Sequence, residues 1–369
     1  MKPKLFFVIN ALNPGGAERV VTNLANYFND QGFQVFMICL NDGRPVYPVN
    51  DGVHLIQLTK RDNRHGIFDR MRFGLITFFK LLHLLIKEKP GCVISFMTSS
   101  NLWAGLTCSL TGVPFIVSER ITPDLTINSF NPFLKWLSYM VYRQSKAIVL
   151  PAKAMEACLK KTRSFRKLDN FISIKNYVSV FQPLDLKPVH DKKFILGVGR
   201  LTQQKGFDQL IEAYSKIQTG EIDLVIVGEG MERESLTKKI EELGLSKQVF
   251  LVGSKDNLQD YYAQAELFVL SSRNEGYPNA LIEAMSMGCP SIAMDCEFGP
   301  SEIIENGLNG FLVEDENIVM LAHSMSVVLN NDRLKKRLSK QAKLINETNS
   351  QKAITSKWEE LILSQVQVN

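Results

Sequence analysis

The sequence has no CxxC pair. Its six cysteines, Cys39, Cys92, Cys108, Cys158, Cys289 and Cys296, are scattered through 369 residues, which favours neither a zinc site nor a disulfide framework and fits a reducing cytosol. No apolar run is long enough to cross a bilayer. The longest, FGLITFFKLLHLLI from Phe73 to Ile86, is broken by Lys80 and His83 and falls short of the roughly 20 residues a spanning helix needs. The opening MKPKLFFVINAL carries Asn10 and runs into NPGGAER without a cleavage site, so a buried strand is expected there and not a signal peptide. Hydrophobic residues at 45% and charged residues at 22% exclude disorder and a membrane-embedded body. None of the five histidines, His54, His65, His83, His190 and His323, sits in a motif loop, and each is expected on the surface or in the core.

The length suits two domains. Short β-branched runs alternate with amphipathic helical patterns twice: KLFFVIN, QVFMICL, GCVISF, PFIVSE, KAIVL and FISIKN, then FILGVGR, IDLVIVG, VFLVG, ELFVL and PSIAMD. This alternation predicts two α/β domains, each a doubly wound parallel sheet with helices on both faces. Residues 1–180 are expected to form the first domain, the Pro-containing segment 181–192 a linker, 193–345 the second domain, and 346–369 a C-terminal helix returning to the first. The net charge of +5 hides an asymmetry: residues 1–190 carry 24 Lys and Arg against 12 Asp and Glu, leaving 19 against 26 in 191–369. The basic half suits an anionic partner, or is simply a solvated charged face.

In such sheets ligands bind beyond the carboxyl ends of the strands. Three loops there stand out. In NALNPGGAERV, Gly15 and Gly16 follow the first strand and open a helix, where backbone N–H groups can approach a phosphate; a plain turn explains the pair equally well. In GVGRLTQQKGFDQLI, Arg200 leaves a strand and Lys205 precedes a helix; two such cations can neutralise a diphosphate, or belong to an ordinary solvated loop. The third glycine of GxGxxG is missing, so the dinucleotide fingerprint fails. In RNEGYPNALIEAMSMGCP, Pro278 suits a first helical position and Gly288 a helix end, which leaves Glu275 exposed in the turn and Glu283 inside an apolar helix. A carboxylate there needs hydrogen-bond donors, which a hydroxyl-bearing ligand supplies, unless Glu283 simply lies on a polar face of the helix.

Taken in order, GGAER, SER at Ser118 to Arg120, GRLTQQKGF, VGEGMER, NEGYPNALIEAMSMGCP and GPSEIIENGLNGFLV resemble the retaining family 4 glycosyltransferases over almost the whole chain. The resemblance implies the GT-B fold, two Rossmann-like domains facing across a cleft, with a nucleotide-diphosphate sugar held mostly by the second. It implies that Glu283 accepts hydrogen bonds from the ribose, that Glu275 and the backbone of Gly276, Tyr277, Pro278, Asn279 and Ala280 hold the transferred sugar, and that Arg200 and Lys205 grip the diphosphate. Gly15 and Gly16 would bring the first domain to the same phosphates on domain closure. Glu119 and Arg120 would meet the acceptor or the reacting sugar. Many relatives place a histidine in that loop, so no protein general base is assigned; a leaving phosphate oxygen can take the role.

The chain has no Asp-x-Asp triplet. No metal and no resident cofactor are therefore expected, with the nucleotide sugar a co-substrate. The helix Phe68 to Lys89 carries Arg70, Arg72, Lys80, Lys87 and Lys89 among leucines and phenylalanines. It is either a core helix with a charged face or one that lies on anionic lipid. On the second reading the enzyme is cytoplasmic, peripheral at the inner face of the cytoplasmic membrane, and extends a polyprenyl-diphosphate-linked glycan. A UDP-linked hexose or N-acetylhexosamine is the expected donor. The alternatives are a GT-B nucleotide-sugar epimerase and a non-catalytic nucleotide-sugar scaffold. A nucleic-acid partner is not expected, since no stacking module accompanies the basic charge.

Overall fold

The computed structural model of the protein describes residues 2–13, 15–60, 67–178, 187–218 and 220–366, with the side chains of 67, 68, 70 and 71 outside that description. The chain forms two compact units, Met1–Asn176 with Ile354–Asn369, and Tyr177–Ala353.

The first unit is built on strands β1 (Lys4–Ile9), β2 (Gln34–Cys39), β3 (His54–Gln57), β4 (Cys92–Phe96), β5 (Phe115–Ser118), β6 (Ala147–Leu150) and β7 (Phe171–Ser173). They run in the order β3-β2-β1-β4-β5-β6-β7, and every pairing is parallel. The central strands are buried along their length because helices cover both faces of such a sheet, so VISF and FIVS read as near-continuous apolar runs and not as alternations. From Ile354 onward the chain belongs to this unit. Trp358 is 1% exposed and its ring centroid lies 5.9 Å from that of Phe96. Residues 346–353 cluster instead with the second unit, so the C-terminal boundary falls later than expected.

The second unit carries β8 (Phe194–Val198), β9 (Asp223–Val227), β10 (Val249–Leu251), β11 (Leu267–Leu270), β12 (Ser291–Asp295) and β13 (Phe311–Glu314) in the order β10-β9-β8-β11-β12-β13, again all parallel. Its core is the apolar layer between sheet and helices, with Ile195, Leu224, Leu267 and Ile292 fully buried. Of the expected linker, residues 181–186 lie outside the described residues. The rest of it is not a free tether: Val189 N–H donates to Gln264 Oε1 at 3.0 Å, and His190 Nε2 lies 2.7 Å from Asp223, at the start of β9 and away from the loops discussed below.

In each sheet one strand, β1 or β8, is flanked by strands reached by winding in opposite directions. In doubly wound sheets ligands bind at this point, outside the carboxyl ends of that strand and its neighbour. In the second unit the loops there follow β8 and β11.

Candidate active site

β8 and β11 are hydrogen-bonded neighbours, with Leu267 opposite Ile195 and Phe268 opposite Leu196. Their loops therefore emerge side by side. The β8 loop makes one tight turn, Gln203–Lys205, and ends on Gly206 at φ 62°. A Cβ there would stand 2.0 Å from the carbonyl oxygen of Ser271, so only glycine permits both the left-handed conformation and the contact. The loops are then stitched together. Ser271 Oγ donates to Lys205 O at 3.1 Å, Arg273 N–H to Gln204 O at 2.9 Å, and Gln204 Nε2 to Asn274 O at 2.8 Å.

Arg273 closes the arrangement. Its guanidinium grips Asp208 with two bonds of 2.8 and 2.7 Å and reaches Gln203 O at 2.9 Å. Its hydrogen bonds to Asp208 raise its pKa further, against burial. Burial works to raise the Asp208 pKa, but the bonds and charge of Arg273 outweigh it and hold the carboxyl below its ordinary value. Nothing in the sequence assigned this clamp. Asp208 lies in the first turn of the helix Phe207–Ser215, where an acid is ordinary, and the pairing of residues so far apart in the chain leaves no local trace.

Held this way, Lys205 Nζ lies 2.6 Å from Glu275 Oε1, and Ser272 Oγ donates to the same oxygen at 2.7 Å. Glu275 is 6% exposed, which corrects the expectation of an exposed carboxylate. The ammonium and the hydroxyl replace the water it would otherwise need. Arg200, by contrast, is exposed at the end of β8.

Beyond Glu275 the turn divides. Gly276, Asn279 and Ala280 are half-exposed, whereas Tyr277 and Pro278 are buried. The Tyr277 hydroxyl accepts from Asn349 Nδ2 at 2.8 Å, and burial pushes its pKa up. Its side chain therefore anchors the turn from beneath, and only its backbone is left for a ligand. The helix runs Asn279–Ser286 with Pro278 as its extended N-cap, one residue later than expected. Leu281, Ile282, Ala284 and Met285 are fully buried, and burying a side chain the size of Leu281 or Ile282 is favourable by roughly 1.5–3 kcal/mol each. Glu283 is carried into the same interior at 3% exposure, where the Tyr262 hydroxyl donates to Oε2 at 3.0 Å. In VGEGMER both glycines have a structural cause: a Cβ on Gly228 would stand 1.8 Å from Gly199 O, and one on Gly230 2.2 Å from Leu201 O.

In the first unit Gly15 is extended and precedes the helix Gly16–Asp30. Glu119, after β5, is fully buried. It accepts from Thr98 Oγ1 at 2.8 Å, from Asn101 Nδ2 at 3.0 Å and from the Tyr142 hydroxyl. Burial pushes its pKa up, against these bonds, which lower it. The expectation of a direct acceptor contact is thus corrected for Glu119, which holds the loop together from inside. Arg120 donates to Asn176 Oδ1 at 2.6 Å and lies over the rings of Phe96 and Trp358, 5.1 and 5.9 Å from their centroids.

Comparison with known proteins matches this architecture. The family model described as Glycosyltransferase Family 4 fits residues 14–178, and that described as Glycosyl transferases group 1 fits residues 182–345. An uncharacterized glycosyltransferase of Haemophilus influenzae is 27% identical over 98% of this chain and 100% of its own. The N-acetylgalactosamine-N,N'-diacetylbacillosaminyl-diphospho-undecaprenol 4-alpha-N-acetylgalactosaminyltransferase of Campylobacter jejuni is 29% identical over 92% of this chain and 94% of its own. Anabaena HepE, crystallised with UDP and glucose, superposes with a TM-score of 0.81 at 17% identity, covering 98% of this chain and 100% of that one. With both halves of the chain matched and both sheets accounted for, the protein belongs to the family 4 glycosyltransferases of the GT-B fold.

Proposed function

We propose that the enzyme transfers a hexose or N-acetylhexosamine, with retention of configuration, from a UDP-sugar to a polyprenyl-diphosphate-linked glycan during surface polysaccharide assembly. The observation that carries the reading is the Lys205–Glu275 pair at 2.6 Å, its carboxylate buried and its ammonium half-buried, which sets a cation for the donor diphosphate against a carboxylate for the transferred sugar. The Campylobacter jejuni relative supports the acceptor, since its name specifies a diphospho-undecaprenol substrate. HepE supports the donor through its bound UDP.

On this reading Lys205 and the exposed Arg200 neutralise the diphosphate as the glycosidic bond breaks, a task suited to preorganised cations. Glu275 and the half-exposed Gly276, Asn279 and Ala280 hold the sugar, and Glu283 takes the ribose hydroxyls. Gly15 and Gly16, at the start of the helix Gly16–Asp30, are assigned backbone N–H contacts to a phosphate. The acceptor hydroxyl attacks the face the diphosphate leaves, and its proton passes to the departing phosphate oxygen. Arg120 is assigned to the acceptor side. The test is a thermal-shift screen against nucleotide sugars, then transfer of the stabilising sugar to a polyprenyl-diphosphate-linked saccharide. A UDP-sugar is expected to stabilise most. Stabilisation by a GDP-sugar alone would reassign the donor, and sugar interconversion without transfer would favour an epimerase.

We assign the enzyme to the inner face of the cytoplasmic membrane. Support comes from the helix Ile67–Glu88, which leaves Leu75, Phe79 and Ile86 58%, 60% and 57% exposed while Leu81 and Leu85 are buried. Arg72, Lys80 and Lys87 on this helix and Lys89 just after it are exposed, with Lys80 also bonded to the carbonyl of Leu58 at 2.6 Å. Flotation with anionic vesicles is expected to show binding that falls steeply above 0.1 M salt, where charges are screened beyond about 10 Å. Equal binding to neutral vesicles would remove the electrostatic part of the assignment. No helix among the described residues is long and apolar enough to cross a membrane.

A further inference from the structure

The first unit contains an apolar groove of about 420 Å³ whose wall includes Met97, Leu102, Trp103, Phe130, Leu134 and Leu137. It lies between the helices Thr98–Thr111 and Pro132–Gln144, and its size is that of an ordinary ligand pocket. We propose that the groove seats the hydrocarbon chain of a polyprenyl diphosphate, the lipid end of the acceptor. The occupant rests on the acceptor reading above.

Three observations favour a lipid over another apolar guest, and a fourth, a backbone outlier in the wall, marks the groove as a site. A peptide would bring amide groups into a wall with almost nothing to bond them, whereas an isoprenoid has none to satisfy. The Thr98–Thr111 helix carries no charge, and the Pro132–Gln144 helix carries only Lys135 and Arg143, the balance suited to an anionic lipid surface. Beside Leu134 and Leu137, the same helix holds Phe133 and Trp136 outward, 65% and 55% exposed, with ring centroids 6.0 Å apart. Exposed aromatics of this kind settle at a lipid–water boundary. Met97, in the wall, sits at φ 75°, a conformation an unbranched L-residue rarely holds and one that tends to persist where a site requires it.

The groove also adjoins the acceptor side of the proposed chemistry. Ile121 in its wall follows Arg120, and Thr98 in its wall donates to Glu119. A lipid seated there places its diphosphate and saccharide at the loop after β5, next to the cation assigned to the acceptor.

The experiment has two arms. In the first, wild-type enzyme is photolabelled with a benzophenone analogue of farnesyl diphosphate and the label is mapped by peptide mass. Labelling is expected within 97–106 or 121–137 and should be displaced by unlabelled farnesyl diphosphate; saturable labelling elsewhere, or none, overturns the proposal. In the second, kcat/KM is measured for one saccharide linked to undecaprenyl diphosphate and to butyl diphosphate. Leu134→Asp is expected to raise KM for the undecaprenyl acceptor at least about tenfold and leave the butyl acceptor unchanged. An equal change for both acceptors overturns the proposal. If the groove is labelled but wild-type enzyme extends no polyprenyl-linked saccharide, the isoprenoid site stands and the acceptor reading falls.

Discussion

Lys205→Ala is expected to lower kcat by about 10²–10³, the scale seen when one preorganised electrostatic donor is removed from a reacting oxyanion, and neither Mg²⁺ nor Mn²⁺ should restore the activity. Lys205 is fixed 2.6 Å from Glu275 by a loop that Gly206 presses against Ser271, so its charge is already in position when the diphosphate develops charge. A divalent ion would need clustered carboxylates, and the chain's nearest imitations of Asp-x-Asp are 314–316 and 295–297. The first ends β13 and leads into the helix Ile318–Leu329, whose N-cap is Asn317. EDTA should accordingly leave wild-type transfer intact; an enzyme silenced by EDTA and restored by Mn²⁺ would show that the countercharge is not supplied by Lys205 and Arg200. Removing the ammonium also leaves the buried Glu275 carboxylate without its countercharge, with Ser272 still donating to it, at a cost below the about 3–5 kcal/mol of breaking a fully buried pair. Adding Glu275→Gln to Lys205→Ala should recover thermal stability without recovering transfer, which separates the structural effect from the catalytic one.

The two glutamates should respond differently to the same change. Glu275→Gln keeps the shape but loses the charge that Lys205 and Ser272 surround; kcat is expected to fall by about 10²-fold or more, with the Kd for UDP moved only slightly. Glu283→Gln, on the buried helix beside Tyr262, is expected to weaken UDP about 10- to 100-fold, the range for a lost charge-assisted hydrogen bond, with a smaller effect on turnover at saturating donor. Isothermal titration with UDP and steady-state transfer give both numbers. Equal losses of affinity in the two variants would refute the division between sugar and ribose.

Much of the architecture was legible before any coordinates. The apolar runs of the strands and the amphipathic helices between them declared two parallel sheets, since a strand covered on both faces is largely apolar throughout, and every strand but β3 and β13 falls on a run read from the sequence. The glycine loops and the Glu275–Glu283 turn were visible for the same reason: backbone conformation and helix capping are decided within a few residues. Exposure was not legible. Glu275 looked exposed because its turn is rich in glycine and proline, and Glu119 looked available because it stands in a motif loop, yet both are buried by partners that lie far away in the chain.

What the sequence determined, then, was the set of short-range outcomes: which segments are strands and helices, where the loops fall, and which loops carry charge. The tertiary structure alone decided which of those loops meet. Lys205 and Glu275 are 70 residues apart and come together because β11, not β9 alone, lies against β8. Arg273 finds Asp208 for the same reason, and Tyr142, Asn101 and Thr98 converge on Glu119 because the segments around β4 and β5 are packed side by side. Strand order is set by the total burial of the sheet faces, a quantity summed over the whole domain, so no window of neighbouring residues contains it.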